Sequence, residues 1–163
     1  MVFSIFILLI ITYLASKAES AKNITIAPQS FHDLIICRLC GCDLASANHI
    51  IAKSSLDSEY TFNESLFGKN EVLVQVLRTD FLLDIPIVTF RHSECSPIGE
   101  WSQVEFWFPE YQWKACICPA CGEIVGWVFK PLSNQLSETF FALDLHSLIG
   151  ENFLNLLIKY PNI

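Results

Sequence analysis

Apolar positions along the chain fall in short runs separated by turn residues. Glu71–Leu77 places Val72, Val74 and Val76 on one face of an extended segment. Pro86–Phe90, Val104–Phe108, Trp113–Ile117 and Ile124–Phe129 are rich in β-branched and aromatic residues, which suit a pleated, half-buried surface. Between them, Pro97-Ile98-Gly99, Pro109-Glu110-Tyr111 and Cys121-Gly122 predict turns. Short strands at this spacing predict an all-β domain with minor short helices. The flanking regions read differently. Phe31–Ile36 suits a short helix or a strand, and Asn48–Asn70 is polar, predicting a loop or a weak hairpin. Ser147–Ile158 carries Leu148, Ile149, Phe153, Leu154, Leu156 and Leu157, a pattern compatible with a helix. No internal repeat and no low-complexity tract interrupts the 163 residues.

Composition narrows the partners. Apolar residues make up 52% of the chain and charged ones 17%, enough to bury a core. The formal net charge of -7 and the absence of a basic run argue against nucleic acid, whose phosphates need clustered Lys and Arg. The apolar run Val2–Leu14 is followed by small residues at Ala15, Ala18 and Ser20. The run is shorter than the about 20 residues a spanning helix needs, so it predicts a signal peptide over residues 1–20, not a membrane anchor. Secretion without membrane association is the expected destination. Asn23-Ile24-Thr25 and Asn63-Glu64-Ser65 are sequons, making Asn23 and Asn63 candidate glycosylation sites.

The cysteines carry the clearest chemistry. Cys37-Arg38-Leu39-Cys40-Gly41 and Cys118-Pro119-Ala120-Cys121-Gly122 both read C-x-x-C-G. Two intervening residues let both sulfurs of a tight turn reach one tetrahedral Zn²⁺ at about 2.3 Å, and the glycine supplies the left-handed conformation that closes such a turn. Cys37, Cys40, Cys118 and Cys121 would then fill the coordination sphere, which makes the zinc structural, since no position remains for water. The competing reading is disulfide bonding, usual for secreted cysteines, but a disulfide needs only one sulfur from each side. Cys42, Cys95 and Cys116 allow three pairings. Convergence of both turns on one metal would bring Cys42 and Cys116 together, so that disulfide is expected, with Cys95 left over.

Three of the four tryptophans, Trp107, Trp113 and Trp127, stand among Phe106, Phe108, Tyr111 and Phe129. A packed aromatic core is the simplest meaning of such a cluster. Their order adds to it. Trp107-Phe108-Pro109-Glu110-Tyr111-Gln112-Trp113, then Cys118-Pro119-Ala120-Cys121, then Gly126-Trp127-Val128-Phe129 resembles the CULT domain, the family that forms the ligand-binding end of cereblon and also includes secreted proteins. Cys37 and Cys40 match its first zinc pair, and Phe140-Phe141-Ala142-Leu143 its later aromatic pair. The resemblance spans about Phe31–Ile149 and divides the chain into a signal peptide (1–20), an N-terminal segment (21–31), a CULT domain (32–150) and a C-terminal tail (151–163). It implies a β-tent: two antiparallel sheets leaning together, pinned by zinc. It also implies a cyclic-imide site with Trp107, Trp113 and Trp127 as walls, Phe129 as floor, and the Glu105 carbonyl and Trp107 N–H as polar contacts. Glu105 departs from the histidine frequent at that position; a carboxylate facing the cage would favour a cationic ligand.

Two other functions compete with a non-catalytic binding module. The β-tent is shared with methionine sulfoxide reductases of the B type, which need a nucleophilic cysteine in the cleft; Cys95 is the candidate. Alternatively, the cage serves an extracellular interaction protein and takes a methylated amine or a peptide end. No ubiquitin-ligase partner is expected. His32, His49, His92 and His146 lack metal-ligand spacing, Trp101 suits packing or a rim, and Asp144, His146 and Ser147 lack the nucleophile elbow of a hydrolase.

Overall fold

The computed structural model describes residues 34–79, 82–103, 107–133, 138–151 and 153. The signal peptide, Asn23 and Glu105 lie outside the described residues. Among the described residues eleven strands follow one another: β1 (Leu34–Cys37), β2 (Asp43–Ser46), β3 (Ile50–Ile51), β4 (Ser58–Leu66), β5 (Lys69–Arg78), β6 (Asp84–Phe90), β7 (Ser96–Ser102), β8 (Tyr111–Ile117), β9 (Ile124–Pro131), β10 (Phe140–Asp144) and β11 (Leu148–Gly150). Short 3-10 turns at Ala47–His49 and Leu145–Ser147 connect some of them. A small sheet has the order β11-β1-β2, and a large one runs β4-β5-β6-β10-β9-β8-β7. The short β3 pairs with β6 beyond the stretch that β5 occupies. All pairings are antiparallel. The all-β, two-sheet expectation is met.

The central strands β5, β6, β9 and β10 of the large sheet are covered on both faces, which explains their largely apolar sequences. One face presents Val72, Val74, Val88, Phe90, Val125 and Leu143 to Ile35, Leu44 and Leu148 of the small sheet. The other presents Leu77, Ile87, Phe129, Phe140 and Ala142 to Trp107, Phe108 and Tyr111. Each large side chain so buried contributes about 1.5–3 kcal/mol over its exposed state.

Four local expectations are settled or changed. For Asn48–Asn70 the hairpin alternative holds: it contains a nine-residue strand, β4, paired with β5. Its turn, Phe67-Gly68, has both φ angles positive, at 53° and 73°, the geometry that matches strand twist in a two-residue hairpin. The strand escapes a pattern search because it is exposed along most of its length, so burial imposes no alternation on it. Leu148–Gly150 is strand and not helix: Leu148 and Ile149 pair with Cys37 and Ile36 as β11, and sheet pairing overrides the helical spacing there, while Glu151 and Phe153 beyond it are helical. Pro97-Ile98-Gly99 lies inside β7, where Gly99 at φ 77° accompanies a register shift, a bulge and not a turn. Trp107 and Phe108 leave strand geometry, Trp107 at φ 51°. Among the described residues no helix is long and apolar enough to cross a membrane.

Candidate metal centre and aromatic cleft

Each C-x-x-C-G turn is the connection of a strand pair. The first joins β1 to β2 in the small sheet, and the second joins β8 to β9 in the large one. Their backbones are the same. Cys37 N–H donates to the Cys42 carbonyl at 2.8 Å, and Cys118 N–H to that of Glu123 at 2.8 Å. Gly41 N–H donates to the Cys37 carbonyl at 2.8 Å, and Gly122 N–H to that of Cys118 at 2.9 Å. Gly41 and Gly122 close the turns at φ 76° and 79°, where a side chain is disfavoured.

The two turns meet. The Sγ atoms of Cys37, Cys40, Cys118 and Cys121 all lie within 4.8 Å of one another. Cys37–Cys121 are at 3.8 Å and Cys40–Cys118 at 3.5 Å. Tetrahedral sulfurs at about 2.3 Å from a metal would stand about 3.8 Å apart, so the set fits a closed four-thiolate site. Electrostatics agree. In Cys118, partial burial raises the pKa, but the backbone of Cys121 and Ala120 and the thiols of Cys40 and Cys121 outweigh it and bring it down to about 6. In Cys40, the backbone of Cys42 lowers the pKa, but desolvation and the three neighbouring thiols push it up to about 12. Cys121 is lowered by the Glu123 backbone, yet desolvation and the thiols of Cys118 and Cys37 leave it raised. Cys118 is thus readily ionised while Cys40 and Cys121 resist, and a dication would supply the charge that four clustered thiolates need.

The remaining cysteines correct the expected pairing. Cys95 and Cys116 form the disulfide, with a Cα–Cα distance of 5.6 Å, and Cys42 keeps its thiol. The reason is register. Cys116 pairs with Pro97 across β7 and β8, which brings it beside the residue just before β7, whereas Cys42 is spent on closing its own turn. Cys95, buried and bonded, offers no nucleophile, which removes the ground for the sulfoxide-reductase reading.

The aromatic residues collect on the other face of the large sheet. Trp113 pairs with Phe129 and Ala115 with Trp127 across β8 and β9, while Phe140 and Ala142 oppose Phe129 and Trp127 from β10. Alternation puts these positions on one face. Phe129 is fully buried and stacks on Phe140 at 5.1 Å, while Phe108 meets both rings edge-on. Trp113 and Trp127 are half-buried at the margin of this cluster. Trp107 comes in from the β7–β8 connection and meets Trp127 edge-on at 4.6 Å. Its indole N–H donates to the Arg78 carbonyl at 3.0 Å. Gly126, at φ 154°, permits this layout, because a Cβ there would collide with the Ala142 carbonyl of β10. Trp101 lies elsewhere, under the ammonium groups of Lys114 and Lys130 at 5.0 and 5.8 Å.

A cavity of about 420 Å³ opens beside Trp107 between Lys53–Leu56 and Phe108–Tyr111. Sequence patterning gave no hint of its polar joint, made by Lys53, Ser55 and Gln75. The Lys53 ammonium donates to the Tyr111 hydroxyl at 3.0 Å and lies 4.9 Å from that ring. Ser55 lies in a polar stretch and Gln75 is a lone polar residue within the apolar strand β5, so neither carries a periodic signal of burial.

Two antiparallel sheets, each contributing one cysteine turn to a shared four-sulfur cluster that could hold a metal ion, define a β-tent. No family model matches the chain. It is 26% identical over 137 residues to protein cereblon of Drosophila simulans, covering 82% of this chain and 21% of that protein. Protein cereblon of Drosophila melanogaster is 25% identical over 136 residues, with 82% and 21% covered. That of Drosophila grimshawi is 25% identical over 136 residues, with 82% and 18% covered. The chain spans about a fifth of the length of the curated relatives it matches. Together with the cysteine centre, these similarities support a cereblon-type CULT domain.

Proposed function

We propose that this chain is a secreted, non-catalytic binding module in which structural Zn²⁺ pins two sheets and an aromatic cleft takes a cyclic imide or similar small ring. Trp107, Trp113 and Trp127 form its walls and Phe129 its floor. The observation that carries the reading is the placement of Trp113 and Trp127, half-buried on one sheet face, with Trp107 packed edge-on against Trp127 at 4.6 Å. Rigid indole faces of this kind enclose a small ring at low conformational cost. Residues 32–150 make up the module in this reading. The Cys95–Cys116 disulfide favours an oxidising compartment, and Asn63 is exposed on β4, where a glycan can be accommodated.

Titration of the zinc-loaded protein with glutarimide, followed by tryptophan fluorescence, tests this directly. Saturable quenching is expected, and it should be lost in Trp127→Ala. A flat response up to about 1 mM ligand, the floor of useful affinity for so small a molecule, would reject the cleft as an imide site.

A further inference from the structure

Resting on the reading of Trp107 as a cleft wall, we propose that Ser55 and Gln75 are positioning residues that set the backbone and ring of that tryptophan. Trp107 sits at φ 51°, a left-handed conformation that a bulky residue keeps only where its surroundings over-determine it. The surroundings do so from both sides. The Ser55 hydroxyl donates to the Trp107 carbonyl oxygen and accepts the Asp57 N–H at 3.1 Å, so its own direction is settled. The Ser55 N–H in turn donates to Gln75 Oε1 at 2.6 Å, and Gln75 Nε2 donates to the Lys53 carbonyl at 2.8 Å.

Gln75 is fully buried in β5 on the aromatic face. A buried side-chain amide is costly unless both of its ends are satisfied, and the 53–55 segment satisfies both. From the far end of β5, Arg78 accepts the Trp107 indole N–H at 3.0 Å. One strand therefore grips the tryptophan twice, once through its own carbonyl and once through Gln75 and Ser55. The cavity of about 420 Å³ runs along this joint, so a shift of Ser55 would tilt the indole relative to Trp127.

The test uses zinc-loaded, ¹⁵N-labelled protein. The Trp107 indole N–H resonance is identified by its disappearance in Trp107→Phe. Ser55→Ala should move that resonance and weaken glutarimide binding about tenfold, as expected for loss of one buried hydrogen bond. Ser55→Thr, which keeps the hydroxyl, should restore both. A folded Ser55→Ala protein whose Trp107 resonance stays at the wild-type position overturns the proposal, whatever its melting temperature. Should that variant not fold, Ser55→Cys keeps the size with a much weaker donor, and the same criterion applies. If wild-type protein does not bind glutarimide, the ligand reading falls, and the resonance alone still decides the positioning role.

Discussion

The four-cysteine cluster and the aromatic cluster solve the same problem, bringing together residues far apart in the chain, by opposite means. Each cysteine turn is complete within six residues, and both use the same pair of backbone hydrogen bonds and a left-handed glycine. Their meeting needs only one ion. The aromatic cluster has no such local unit. Its layout depends on the register of β8 against β9 and of β9 against β10, on the close approach that Gly126 allows, and on Trp107 held in a left-handed conformation. With a metal bound, the first site would be rigid and would fail as a whole on its loss. The second tolerates graded damage, because each wall is positioned separately.

The largest break in this contrast should come from the metal side. Cys118→Ser leaves three thiolates for the ion. The variant is expected to lose bound zinc, measured by elemental analysis, and its cooperative thermal transition in circular dichroism, because metal affinity is folding free energy in such sites. Retention of a sharp transition without zinc would show that the sheets hold together by burial alone.

On the aromatic side, Phe129→Ala should cost about 3–5 kcal/mol in denaturant unfolding, since the ring is fully buried among Phe108 and Phe140. Trp113→Ala should cost less, because its ring is half-buried, yet should remove more of the glutarimide response. Reversal of that order would make Trp113 core and Phe129 wall. Opening the Cys95–Cys116 disulfide by Cys95→Ala with Cys116→Ala should cost about 2–4 kcal/mol while leaving zinc content unchanged. Zinc loss in that double variant would tie the disulfide to the metal turns.

The pH response distinguishes the two ends further. Cys118 has its pKa lowered to about 6, so its thiolate supports the fold above the thiol's ordinary value and that support is lost as pH falls through about 6. Cys40 is shifted the other way, to about 12, and must give up a proton for the metal to bind. Zinc affinity should therefore rise with pH, and uptake at neutral pH should release protons, read as a buffer-dependent binding heat in calorimetry. Intrinsic ligand affinity of the zinc-saturated cleft should stay flat over the same range. The smallest effect expected is at the sheet margin. Arg78 hydrogen-bonds Asp84 and holds its carboxyl below the usual range. This exposed pair stabilises above the ordinary carboxylate pKa and is lost as pH falls through the lowered one. Asp84→Asn should shift the melting temperature only slightly, and less still at high salt.

Spacing alone determined what could be determined locally. The repeated C-x-x-C-G placed both cysteine turns and their glycines, and alternation in Glu71–Leu77 with β-branched and aromatic runs in Trp113–Ile117 and Ile124–Phe129 placed three strands, because each signal is complete within a few residues. Tertiary structure decided the rest. It made β4 a strand through pairing with β5 without burying it, turned Leu148–Gly150 into an edge of the small sheet, and gave Cys95 to Cys116 through the register of β7. It also set Trp107 by way of Ser55 and Gln75, polar residues whose burial no pattern announces. Contacts between distant segments have no period in the chain; only the closing of the sheets brings them into being.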